Sequence, residues 1–200
     1  RSRGLGDVYK RQAEYVPEEI YRVETGVRKS GPWKLEISNL TIGSYLPVFT
    51  PVFADLQKRT VVPVRNVEIY EKATSGSATK IKIKKGSLAY VGMHIGNGSK
   101  GATINSIDKS NSAYDELTLA ADLGANAEVG EVWFEATAVG GTKKKATANF
   151  VLYAPTKVED DGPVLPTLLM QAYEIKIPKL PLPIHKLDME GLTSRFQFEY

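Results

Sequence analysis

The 200-residue chain has no cysteine and only two histidines, His94 and His185. Without cysteine there can be no disulfide framework, thiolate metal site or cysteine nucleophile, as suits a protein made in a reducing cytoplasm. The two histidines lie far apart in sequence, and neither sits in an H-x-x-x-H or H-E-x-x-H frame. Long apolar runs are also lacking: "PVLPTLLM" (163–170) is far shorter than the ~20 residues of a membrane helix, so no membrane partner is expected. Helix signals are sparse, because 17 Gly and 11 Pro interrupt the chain and its apolar runs favour β-branched and aromatic residues.

Net charge is the next thing in short supply. The opening string "RSRGLGDVYKRQ" has four cations and one anion, and so holds the whole formal +3 of the chain. The remaining residues carry 22 basic and 22 acidic side chains. A basic arm for nucleic acid would rest on those twelve residues alone. The string closely resembles a translated sequencing adapter, so residues 1–12 are set aside as non-native, with the native N-terminus outside the sequence and no nucleic-acid partner expected.

What the chain does have is alternation. "VPEEIYRV" (16–23) predicts one short helix, with Pro17 in its first turn. "WKLEISNLTIGSYL" puts Trp33, Leu35 and Ile37 on one strand face, with a turn at Ser38 and Asn39. Pro47, Pro51 and Pro63 predict edge strands or bulges in the next segment. Residues 64–70 then form a cleaner strand, with Val67 and Ile69 on one side. "ATSGSATK" (73–80) reads as a joint. Beyond it "TKIKIKKG", "AYVGMHIG", "GATINSID", "DELTLAADLG" and "EVWFEATAVG" recur at even spacing with glycine at the corners, the pattern of a small antiparallel barrel. Extended segments at 147–153 and in "VLPTLLMQAYEIKIP" should join the strands before residue 70. The tail "KLPLPIHKL" has a polyproline rhythm, and "DMEGLTSRFQFEY" (188–200) reads as a final strand. The expected fold is all-β: an antiparallel sandwich of residues 13–75 with 146–200, and an inserted or adjoining barrel-like module at 79–141.

Sites for chemistry are few. "GNGSKG" (96–101) lacks the Walker spacing and the following helix, and reads as a hairpin turn. "DKSNSAYDE" (108–116) has Ala113 where a calcium loop needs glycine, and an Asp/Asn-rich turn explains it. Glu159–Asp161 reads as solvated loop acids. No carboxylate pair is distinguished from the rest for glycosidase work. Lys80, Lys82, Lys84 and Lys85 read as a solvated strand face, Lys143–Lys145 as a solvated loop, and Trp133 and Phe134 as core and interface. No catalytic, cofactor or metal residue is predicted, and the chain is not expected to be an enzyme.

The phrases "SNLTIGSYLPVFTPVFADLQKRTVVPVRNVEIYE", "TKIKIKKG…IDKSNSAYDELTL…VGEVWFEATAVG" and "LYAPTKVEDDGPVLPTLLMQAYEIKIPKLP" are similar to phage head-fibre and capsid-decoration proteins of gut-bacterial tailed phages, from about Trp33 to Pro181. That resemblance implies a non-enzymatic virion protein, assembled in the host cytoplasm. It implies a capsid protein and copies of the same chain as partners, with a host-surface glycan as a further ligand. Phe49 and Phe53 in "LPVFTPVF", with Tyr45, are the predicted partner contacts, through strand-edge or aromatic docking. The rival reading is a carbohydrate-binding or adhesion module, which would use some of the ten tyrosines as an aromatic platform.

Overall fold

In the computed structural model, which describes residues 19–29 and 31–200, strands form where alternation is sharpest. Five precede the barrel: β1 (Val27–Lys29), β2 (Lys34–Leu35), β3 (Tyr45–Leu46), β4 (Pro51–Asp55) and β5 (Thr60–Pro63). Six build it: β6 (Asn66–Glu68), β7 (Lys80–Lys84), β8 (His94–Gly96), β9 (Gly101–Asp108), β10 (Tyr114–Leu119) and β11 (Val132–Glu135). After it come β12 (Phe150–Leu152), β13 (Thr156–Lys157), β14 (Leu168–Lys176), the helix α1 (Lys186–Leu192) and β15 (Phe196–Glu199). The fold is all-β, with curled, barrel-like sheets.

The barrel sheet runs β6-β11-β8-β9-β10-β7. It curls until its ends meet at an Ile69–Ile83 bridge, supported by a 2.9 Å bond from Tyr70 N–H to the Lys82 carbonyl. Alternation in β7 sends Ile81 and Ile83 inward, where they join Met93, Ile95, Leu117 and Trp133 in one buried cluster. The outward lysines pair across the surface: Lys80 with Glu116, Lys82 with Glu71 and Lys84 with Glu68. The β8–β9 turn is the expected hairpin. Asn97 Oδ1 accepts from the backbone of Ser99 and Lys100. Gly96 and Gly101 lie so close to the Gly141 backbone that a Cβ at any of the three would collide with main chain.

The larger sheet runs β1-β14-β12-β4-β5-β2, and β15 pairs parallel with the far half of β14. Its pleat serves two cores at once. Phe150 and Leu152 face a cluster with Trp33, Leu35, Leu46 and Val52. Val151 between them faces Phe49, Leu169, Ile184 and Phe196, as the period of two requires. β3 and β13 form a separate two-stranded ladder.

Several expectations are corrected. Residues 16–18 of the predicted helix lie outside the described residues, and only a 3₁₀ turn forms, at Val23–Thr25. Ile20 and Arg22 instead hydrogen-bond to Lys176 and Tyr173 of β14, which holds that segment extended. Pro51 and Pro63 do not mark an edge. β4 is interior, between β12 and β5, and the prolines sit at strand ends, where a missing N–H is tolerated. Residues 73–80 are not a bare joint: Ala73 pairs with Ala127, and Ala73 and Ala78 belong to the barrel cluster. Residues 188–192, expected in the final strand, belong instead to α1, and the strand is confined to Phe196–Glu199.

Candidate functional site

The chain enters the barrel at Arg65 and leaves it at Lys145, and both crossings lie along one side of β11, with β8 on its other side. Glu135 N–H donates to the Arg65 carbonyl and Lys145 N–H to the Glu135 carbonyl, each at 2.9 Å. The two crossings therefore meet the same edge of β11 one after the other, and along each extended segment consecutive residues point to opposite faces.

Arg65, Glu135 and Lys145 occupy the first face. Glu135 accepts from Tyr90 Oη at 2.7 Å, Lys145 Nζ at 2.8 Å and Arg65 Nη1 at 3.3 Å. Arg65 also donates to the Ser38 carbonyl at 2.6 Å and lies over the Tyr90 ring. Burial pushes the Glu135 carboxyl up, but the Lys145 and Tyr90 hydrogen bonds and the Arg65 charge outweigh it and hold Glu135 below the usual carboxylate range.

Asn66, Phe134 and Lys144 occupy the second face, which the tail covers. Lys144 Nζ donates to Asn66 Oδ1 at 2.7 Å and to Asp188 Oδ2 at 2.8 Å. Asn66 Nδ2 donates to Asp188 Oδ2 at 2.9 Å, and also to the Pro183 carbonyl at 3.1 Å. Asp188 Oδ1 accepts from Ala148 N–H at 2.9 Å. The Lys144 side chain is 4% exposed and that of Asp188 is fully buried. Nζ lies 5.4 Å from the Phe134 ring centroid. Burial draws the Lys144 pKa down against the opposing pull of Asp188.

His185 caps α1 on this face. Its Nδ1 accepts from Leu187 N–H at 3.1 Å, and Asp188 accepts from the His185 backbone in return, so the pair forms a capping box. The ring packs edge-on against Phe134 at 5.1 Å. Burial, reinforced by the Lys144 charge, lowers its pKa to about 4. The cap needs the neutral ring, because a protonated Nδ1 cannot accept. His94 makes a simpler contact, Nδ1 to Thr103 Oγ1 at 2.7 Å. Among the described residues no group of three or more acidic or histidine side chains is arranged to hold a metal, and no helix is long and apolar enough to cross a membrane.

The predicted contact residues separate. Phe49 is 2% exposed, its ring tilted against Tyr21 and edge-on to Phe196. Its φ of 64° is a left-handed conformation that costs a bulky residue about 1–3 kcal/mol, so its place is in the core and not at a docking surface. Phe53 and Tyr45 are exposed, at 41% and 63%. Both edges of β4 are occupied, which removes strand addition there. Lys144 corrects the solvated-loop expectation, while Lys145 stays half-exposed. No motif in the sequence marked Asn66, Lys144 and Asp188 as a cluster, since the three come from separate segments.

A family model described as head fiber protein matches residues 7–192. The chain belongs to the head fiber protein family. No curated protein and no solved structure matches it. The matched span takes in the barrel, the large sheet except β15, and α1, and begins inside the opening string. Head fiber membership makes the chain a phage structural head protein, a virion component associated with the capsid.

Proposed function

We propose that this head fiber protein is a non-enzymatic subunit assembled in the bacterial host cytoplasm, which binds the capsid shell directly and associates with copies of itself. The family match over 7–192 carries this reading. The exposed Tyr45 and Phe53 are its shell-contact residues. Neither ring is needed by the core clusters around it, so both are available to a partner. The test is co-sedimentation of the purified protein with phage heads that lack it. Wild type should pellet with the heads, and a folded Tyr45→Ser, Phe53→Ser double variant should not. A wild-type protein left in the supernatant would sink shell binding, and a double variant that pellets would sink the contact. Light scattering after size exclusion should give a discrete oligomer; a monomer at all concentrations would sink self-association.

A host-surface glycan is favoured as a second ligand by one observation. Tyr70 and Tyr114 form a tilted pair 5.4 Å apart on the barrel surface, with Lys82 over the Tyr114 ring. Paired aromatic faces beside charged groups suit a sugar ring and its hydroxyls. Replacing Tyr70 with Ser should abolish retention on a host cell-wall polysaccharide column, and unchanged retention would remove this ligand.

A further inference from the structure

The buried Lys144, Asn66 and Asp188 make a more specific arrangement than an ion pair requires. An amine, a carboxamide and a carboxyl group meet within hydrogen-bond distance on every side, next to an aromatic ring. We propose that Lys144 and Asn66 condense into an intramolecular isopeptide bond, with Asp188 carrying the protons. Each partner is placed for its part. Lys144 Nζ lies 2.7 Å from Asn66 Oδ1, on the carbonyl side of the amide. The amide nitrogen that must leave faces Asp188 Oδ2 at 2.9 Å, and the same oxygen lies 2.8 Å from Nζ. One carboxyl oxygen therefore touches both the atom that loses a proton and the atom that gains one, the geometry general acid–base catalysis needs.

The nucleophile must be neutral, and the setting favours that. Lys144 and Asp188 are cut off from water, and Phe134 walls the site. Burial disfavours both charges, so a proton can pass from the ammonium to the carboxylate within the pair. The free amine then attacks Asn66 Cγ. A C–N bond forms and the carbonyl π pair moves to Oδ1. Asp188 gives its proton to Nδ2 and takes one from Nζ. As the oxygen pair returns, the bond from Cγ to Nδ2 breaks and its electrons leave with the nitrogen as ammonia. The products are a secondary amide, one ammonia and a protonated Asp188. No oxidant, metal or co-reactant is consumed, and fixed proximity replaces an external catalyst.

The position of the bond matters as much as its chemistry. Asn66 opens the barrel segment and Lys144 closes it, so the link would join the two chain crossings and tie off residues 66–144 as a covalent loop. The Lys145 face has no carboxamide among its partners, and the same reaction is not open to it.

Intact-mass spectrometry of the purified full chain under denaturing conditions tests this. The wild-type mass should fall below the sequence mass by one ammonia, about 17 Da. Trypsin should then release residues 66–72 joined to residues 144–145. Lys144→Arg and Asp188→Asn should restore the full mass, with circular dichroism to verify folding. Asn66→Asp should lose one water instead, about 18 Da. A folded wild type at full sequence mass would overturn the proposal whatever the variants do. So would an ammonia loss traced to a succinimide at Asn97–Gly98, or a Lys144 found joined to Asp188.

Discussion

Two adjacent lysines on one short segment meet opposite environments. Lys145 lies on the face where Glu135 has three donors, and its own side chain is 49% exposed. Lys144 lies on the face sealed by α1, where it is the cation paired with Asp188. On the first face the charge is shared and part of it reaches water, so losing one donor leaves Glu135 with Tyr90 and Arg65. On the second the carboxylate depends on a single cation. The number of remaining partners, more than residue type, decides what each lysine is worth.

The largest expected effect comes from breaking the sealed face. Lys144→Met should cost about 3–5 kcal/mol relative to the uncondensed ion pair by leaving a buried, unpaired Asp188, with loss of the Asn66 link added to it, read as a lower midpoint in urea unfolding. Next is acid. The folded His185 pKa, about 4, lies below the ordinary value for histidine, so the unfolded chain binds more protons between the two. Its contribution is whole above about pH 6.5 and is lost as pH falls to about 4, on the order of 3 kcal/mol. Lys144, Asp188, Lys186 and Glu131 are the charged groups that act on it. His185→Asn, which keeps a capping acceptor, should flatten that part of a stability-against-pH curve. Glu135 is held below the usual carboxylate range, so its face should lose stability only at lower pH. Lys145→Met comes last, at or below about 1 kcal/mol for a half-exposed pair. Equal losses from Lys144→Met and Lys145→Met would erase the contrast between the faces.

The barrel strands β7, β9 and β10 were the legible part of the sequence, whereas β6, expected with the sandwich, pairs into the barrel sheet. β9 spans the phrase "GATINSID" from end to end, and β7 its lysine–isoleucine alternation, because each strand pairs with a near neighbour and glycines mark the corners. The large sheet was legible only in its strands. Its order brings β12 beside β4, with β14 beyond it, across the whole barrel segment, and local pattern does not encode such pairings. α1 was missed because it is seven residues long, follows a proline-rich run and is capped by histidine in place of the usual Ser, Thr, Asp or Asn. Phe49 and Phe53 share one phrase, yet the left-handed turn at Phe49 breaks the alternation that would have told them apart. Lys144 and Asn66 were illegible for a plainer reason: period two gives the face a residue points to, not whether a distant tail will cover that face.

The junction at β11 also says something about how such a chain can vary. From the large sheet, everything between residues 65 and 145 is one excursion that leaves and returns along one side of a single strand, where both crossings bond to the Glu135 backbone. The entropy of closing an excursion grows slowly with its length, by about 0.6 kcal/mol per doubling. A longer, shorter or differently decorated module could occupy the same socket, provided that it keeps a central strand like β11 and the polar residues that grip it. The outward surface of the module is thereby free to vary without disturbing the sheet beneath it.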